Sequence, residues 1–440
     1  MSGVVVVGGG VAGVAAATAL AERGVRVTLL EAAPALGGRA RSFVDRTTRD
    51  SVDNGQHALM GAYVEFLHLL QRVGRRDALV ERELDVPFWD AARGTRSLSC
   101  PALPAPLHFA AGLLRYGHLP LGARLSALLA GQRLVRRFAG PDSRHADVTV
   151  ARALTELGQG PAARRALWDP LTWATLNADP ERASARLLAA VVERALLGTR
   201  QASRFLLPAV PLSDLYAEPG RKYVEGRGGT VRCRAPVEEL FLEGRRAVGV
   251  RVGGERIEAG ALVVALPPAA LRRLAPPELS PPEALLQATP IVSVTLWLDR
   301  AVAGPAFLGL LGTDTQWVFQ VGRLHGEPEK APARLACVRS GADAWMSRPP
   351  REIVETVHRE VSKALPDVTR ARLVNALVVK EVAATLAPDP ALQPLRPSLE
   401  TPFENVFRAG DWIDTGLPAT IESAALSGHR AAAAAAASLA

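Results

Sequence analysis

Gly8, Gly10 and Gly13 are spaced as GxGxxG directly after the run Val4–Val7, and Glu31 follows 18 residues beyond the last glycine. This spacing suits a dinucleotide. The first glycine makes a tight turn, the second lets pyrophosphate approach the backbone, and the third lets a helix pack closely on a strand. The start of that helix offers unpaired N–H groups and the positive end of its dipole to phosphate. Glu31 would hold ribose hydroxyls and repel a 2′-phosphate, which disfavours NADP. The motif serves FAD and NAD alike.

Three other clusters carry polar groups that could act on such a ligand. LGGRARS places Gly37, Gly38 and Arg39 just after the second strand, as a second backbone approach with a cation, or as a surface turn with solvated arginines. In SVDNGQHALMGAY, residues 51–63, Asp53, Asn54, Gln56 and His57 crowd around Gly55. That stretch is too polar for a core strand and too tight for an ordinary linker. Near the end of the chain, Gly410 and Asp411 sit at a turn, and PATIES starts an alanine-rich helix with Pro418, Thr420 and Ile421 at its beginning.

The elements that would position these residues read as follows. Val4–Val7, an alanine-rich helix to about Arg23, a stop at Gly24 and the strand VRVTLLE form strand–turn–helix–strand. From about Arg76 to Leu215 the texture is helical with proline-broken turns. TVRCRAPVEELFLE reads as a strand, and RAVGVRVGGERIEAGALVVALPP as a hairpin turning at Gly253-Gly254 into a further strand. PIVSVTLWLD, QWVFQVGR, RLACVRSG and RLVNALVVKEV read as strands of an antiparallel sheet, with REIVETVHREVSKAL as an amphipathic helix among them.

Composition bounds the function. Hydrophobic residues make up 48% and charged residues 22% of 440, as in globular chains. Cys100, Cys233 and Cys337 stand far apart, which gives neither a disulfide framework nor a zinc site and suits a reducing cytosol. Net charge is +8, carried by scattered arginines without interleaved aromatics, so nucleic acid is a poor partner and an anionic membrane surface a better one. Residues 100–137 alternate apolar blocks with arginines, as a membrane-lying amphipathic segment or a buried helical pair would. No stretch is long and apolar enough for a transmembrane helix, and the apolar start lacks the basic residues of a signal peptide. A metal is not expected.

GGGVAG…LLE, GGRARS, DNGQH, WDPLTWATLN and AGDWIDTGLPATIESAALSG together resemble the FAD-dependent amine oxidase and phytoene desaturase superfamily. Within it they are most similar to the hydroxysqualene dehydroxylases of bacterial squalene and hopanoid synthesis. The resemblance implies an α/β fold, a Rossmann-type FAD-binding domain interleaved with a substrate domain of antiparallel sheet and helices. The FAD-binding parts would be 1–75, 215–280 and 401–440, and the substrate parts 76–214 and 281–400. It implies that Gly8, Gly10, Gly13 and Glu31 hold the ADP half of FAD, and that Gly38 and Arg39 reach the pyrophosphate or ribityl side. Val237 would meet the adenine edge, Gly410 and Asp411 the pyrophosphate and ribityl chain, and Thr420 and Ile421 the flavin N1/O2 edge. Gly55, Gln56 and His57 would wall the isoalloxazine ring.

The implied reaction is loss of an allylic hydroxyl from hydroxysqualene, a long-chain isoprenoid, with hydride from reduced FAD. His57, Asp414 and Glu422 are the candidates for the acid that helps the hydroxyl leave. A carotenoid-type desaturase and a flavin-free isoprenoid binder on the same fold are the alternatives. No second dinucleotide motif identifies the electron donor that recharges FAD. The implied location is cytoplasmic, peripheral on the inner face of the bacterial cytoplasmic membrane.

Overall fold

A computed structural model describes residues 3–139, 145–328 and 330–439. Five parallel strands form the first layer, in the order Thr230–Arg232, Val27–Leu30, Val4–Val7, Ala261–Val264, Val406–Arg408. Val4–Val7 is buried throughout, as expected for a β-branched strand covered on both faces. The helix Val11–Glu22 follows, and Gly24, with φ +74°, turns the chain out of it. A Cβ on Gly13 would stand 1.8 Å from the Gly8 carbonyl oxygen, so only glycine permits this helix–strand approach. The helix Ile421–Ala437 packs on Val11–Glu22 equally closely, since a Cβ on Gly428 would stand 2.2 Å from the Ala12 carbonyl oxygen.

The second layer is a seven-stranded sheet, ordered Leu373–Leu386, Ala288–Leu298, Arg334–Ser340, Trp317–Gln320, Phe307–Leu311, Asp85–Asp90, Gly94–Ser99. It is antiparallel except where Phe307–Leu311 meets Asp85–Asp90. One face, with Val292, Val294, Leu296 and Cys337, packs in a core with Ile353, Val357 and Val361 of the helix Pro350–Ala364. Register puts Ser293 opposite both Val379 and Val338, Val338 opposite Trp317, and Gly309 opposite both Trp317 and Phe88, so these residues share the other face. That face joins an apolar core with helical residues Leu113, Trp168, Leu188 and Leu196.

Three readings of the sequence need correction. TVRCRAPVEELFLE is two strands in different sheets, because Arg234 takes φ +54° and the chain leaves the parallel sheet there for the antiparallel strand Val237–Glu243. The stretch from Arg76 to Leu215 also holds strands at Leu79–Arg82, Asp85–Asp90, Gly94–Ser99 and Phe205–Pro208. Proline punctuation hid them: Pro87 lies within one strand and Pro208 ends another. QWVFQVGR is a strand only to Gln320, and Val321–Leu324 turns into a short helix.

The motif WDPLTWATLN ends at Asn177, which takes φ +54°. Its Nδ2 donates to the Thr289 carbonyl and to Thr385 Oγ1, and its Oδ1 accepts from the Gly341 amide. One buried side chain thus ties a helix end to two adjacent strands and to the turn after a third.

Candidate active site

The three glycine-bearing turns meet at one place. Gly38 abuts Gly10, with a Cβ on Gly38 falling 3.1 Å from the Gly10 Cα. Arg39 Nη2 donates to Asp411 Oδ1 at 2.6 Å, and its Nη1 donates to the Ala384 carbonyl at 2.9 Å. The Asp411 charge raises the Arg39 pKa further, so the guanidinium stays charged. Glu31 Oε2 accepts from the Gly9 amide at 2.6 Å and Oε1 from Ala33 at 2.7 Å. The Ala235 amide donates to the Glu31 carbonyl, which brings the chain leading to Val237 to the same end.

Among the described residues, the amides of Gly10, Val11, Asp411 and Trp412 donate to no protein acceptor. Val11, Asp411 and Trp412 are buried, and buried N–H groups without partners are rare unless something else accepts from them. The arrangement fits a pyrophosphate-bearing dinucleotide. Gly410, at φ +147°, donates its amide to Ser427 Oγ and lets the chain turn from its strand into this loop. Thr420 caps the final helix, its Oγ1 accepting from the Ser423 amide, and Ile421 is the first helical residue.

The DNGQH turn lies against the large sheet. A Cβ on Gly55 would come within 3.3 Å of Ser293 Oγ. Asn54 Nδ2 donates to the Arg39 carbonyl and to Glu381 Oε2, joining this turn to the arginine. Gln56 Nε2 and Ser293 Oγ are buried without protein partners. His57 Nδ1 lies 2.6 Å from the Gly55 carbonyl, which can only accept, so Nδ1 carries the proton and Nε2 a lone pair in the neutral ring. Burial pushes the His57 pKa down, opposed by that hydrogen bond and by Asp53. At neutral pH His57 is therefore a proton acceptor and must be charged before it can serve as an acid.

The other two acid candidates have different surroundings. Asp414 is exposed, and its Oδ1 accepts from the Gly416 amide within its own turn. Glu422 is buried, and its two oxygens accept from the amides of Glu65 and Phe66 at 3.0 and 2.9 Å, capping the helix Val64–Arg72. Glu422 thus has both oxygens engaged with backbone, whereas Asp414 has one oxygen engaged and faces solvent. Burial pushes Glu422 up to about 7, against those two amide bonds. A raised folded-state pKa means that folding takes up a proton between the unfolded value and 7, so stability falls as pH rises through that window. The melting temperature of the wild type should accordingly drop from pH 5 to pH 8 by a component that Glu422→Gln lacks; parallel pH profiles would refute this.

Sequence reasoning passed over Glu381 and Arg396. Glu381 had a visible signal, a carboxylate within the apolar strand VVKEV; Arg396 had none.

The chain matches the model of the family described as flavin containing amine oxidoreductase over residues 11–436. It is 31% identical over 434 residues to a hydroxysqualene dehydroxylase of Sinorhizobium fredii, covering 97% of this chain and 96% of that one. It is 30% identical to a carotenoid phi-ring synthase of Streptomyces griseus, covering 98% and 86%. Among solved structures, an oxidoreductase from Methanosarcina mazei superposes with a TM-score of 0.73 at 16% identity, covering 97% and 99%, which is a likeness of fold.

Proposed function

Because the chain belongs to the flavin-containing amine oxidoreductase family, we propose that this FAD-dependent oxidoreductase of isoprenoids removes the allylic hydroxyl of hydroxysqualene to give squalene, within squalene and hopanoid synthesis. The main support beside the 31% identity is the sheet face that starts at Gly55 and Ser293. It continues through Ala336 and Val338 to Trp317, Phe319, Phe307 and Phe88, and Phe205 stacks on Phe307 at 5.0 Å between ring centroids. An apolar floor leading away from one polar turn suits a long hydrocarbon with a single reacting hydroxyl.

When bound and reduced, FAD supplies the hydride that replaces the hydroxyl. Gly8, Gly10, Gly13, Gly38, Gly410 and the free amides of Asp411 and Trp412 would hold its pyrophosphate, Glu31 its ribose, Val237 its adenine edge. Thr420 and Ile421 present a helix N-terminus to the flavin pyrimidine edge, where it stabilises negative charge. Gly55 gives the ring a flat neighbour. Gln56 donates a hydrogen bond to the hydroxyl, and His57, once protonated and favoured in that state by the nearby Asp53 charge, gives it the proton with which it leaves as water. The apolar walls keep water from recapturing the allylic cation.

Anaerobic incubation of prereduced enzyme with hydroxysqualene should give squalene in equal amount to the flavin oxidised; no squalene would sink the reading. A 26% identity to a zeta-carotene desaturase of Zea mays favours a second reading, a carotenoid desaturase, in which oxidised enzyme would instead dehydrogenate a carotene.

We also infer contact with a membrane. Among the described residues no helix is long and apolar enough to cross one. However, Leu121, Leu125 and Leu129 form an exposed stripe on the helix Leu121–Phe138, with exposed Leu107 and Leu114 on the preceding helix Leu107–Arg115. Residues 100–138 carry five arginines and no acidic residue, which suits anionic headgroups. The same two helices border an apolar cleft of about 490 Å³, its open mouth included, lined by Phe109, Leu113, Leu128, Trp168, Leu171 and Leu196 among others. Replacing the three stripe leucines with Glu should weaken flotation with anionic vesicles roughly a hundredfold, at about 1 kcal/mol for each half-exposed leucine. Undiminished flotation would remove the contact.

A further inference from the structure

Arg396 is buried, and among the described residues it forms no salt bridge. Its guanidinium spends its donors on one loop instead. Nε donates to the Trp412 carbonyl at 3.2 Å, Nη2 to Asp411 and Ile413 at 3.0 and 2.6 Å, and Nη1 to Leu417 at 2.8 Å and to Gln393 Oε1 at 3.2 Å. A buried cation without a carboxylate partner is expensive, and an apolar residue of similar volume would serve packing better. The fold keeps it where four carbonyls converge.

Carbonyl and amide of a trans peptide lie in its plane and point in opposite directions. Drawing the Asp411 and Trp412 carbonyls to Arg396 therefore turns the Trp412 and Ile413 amides away from it, and neither amide has a protein acceptor among the described residues. The loop is held from the other side by Arg39 on the Asp411 carboxylate and by the Asp414 amide, which donates to the Pro397 carbonyl. We propose that Arg396 is a positioning residue for the cofactor, fixing the loop 411–417 so that its amides form a ready anion-binding concavity for FAD. The proposal rests on FAD in this cleft and not on the isoprenoid substrate, which squalene formation tests separately.

The test compares flavin release from holoenzyme, followed by fluorescence on dilution, in wild type, Arg396→Lys, Arg396→Gln and Arg408→Lys. Arg408 is also buried and bonds backbone carbonyls, those of Glu400 and Leu279, but not this loop. Lysine keeps the charge but cannot reach four carbonyls from one point. Arg396→Lys should release flavin about tenfold faster than wild type, the order expected for one lost charge-assisted hydrogen bond. Arg396→Gln should release it faster still, both with altered visible circular dichroism of the flavin, and Arg408→Lys should match wild type. Release and spectra equal to wild type, or equally changed in Arg408→Lys, would overturn the proposal. So would failure of both Arg396 variants to fold while Arg408→Lys folds, since the residue would then serve folding alone.

Discussion

Gly10→Val should yield a folded, colourless protein that melts within about 3 °C of flavin-stripped wild type. The backbone at Gly10 is ordinary, φ −74° and ψ −175°, and a Cβ there would meet only the Gly38 Cα, at 4.0 Å. Nothing in the protein itself requires glycine. A valine costs only the weak glycine cap, about 1 kcal/mol or less. The Gly10 and Val11 amides beside it have no protein acceptor among the described residues, so the expected loss is the cofactor. Gly13→Ala is the contrasting case: its Cβ, 1.8 Å from the Gly8 oxygen, forces backbone apart and should lower stability together with flavin content. Flavin absorbance and melting curves read both, and a Gly10→Val protein with full flavin content would displace pyrophosphate from this turn.

Asn177→Ala carries the second large effect, on stability. It strands the buried Gly341 amide, removes one donor from the Thr289 carbonyl, and puts alanine at φ +54°. At about 1–3 kcal/mol for the unsatisfied amide, about 1 kcal/mol for the lost carbonyl bond and about 1–2 kcal/mol for the left-handed backbone, the loss is roughly 3–5 kcal/mol. Melting should fall by about 3–5 °C for a chain of this length. Asn177→Asp keeps the acceptor and tolerates the backbone, and should fall between. Because Thr289 begins the strand that carries Ser293, flavin content should fall with stability; an Asn177→Ala protein as stable as wild type would show that the sheet does not depend on this tie.

The nucleotide-binding part was legible because its constraints are local. GxGxxG, the acid 18 residues on, and Gly37-Gly38 each encode a turn that only certain residues can make, and strand, helix and strand lie consecutively. DNGQH was legible as an oddity, polar residues where burial was due, and it lies against Ser293 on the large sheet. Long-range pairing was not legible. Asp85–Asp90 joins the large sheet by a parallel pairing with Phe307–Leu311, more than 200 residues away, and no periodicity marks that partner. Glu422 looked like an acid beside the flavin because it follows Thr420 in sequence; one helical residue further on, its side chain caps a different helix. Arg396 was invisible for the same reason, since its four carbonyl partners lie 15 to 21 residues ahead in a loop with no pattern of its own.

The packing of Ile421–Ala437 on Val11–Glu22, with Val406–Arg408 closing the parallel sheet, has a consequence for biogenesis. A nascent chain emerging from the ribosome holds its first glycine turn for about 400 residues, roughly 20–80 s of synthesis, before the loop that completes the cradle exists. On the proposed role of residues 410–413, the vitamin-derived group is retained only after that wait. The apo-chain must meanwhile shield the small-residue surface of its first helix, and starvation for riboflavin should accumulate a fully translated but loosely closed species rather than a truncated one.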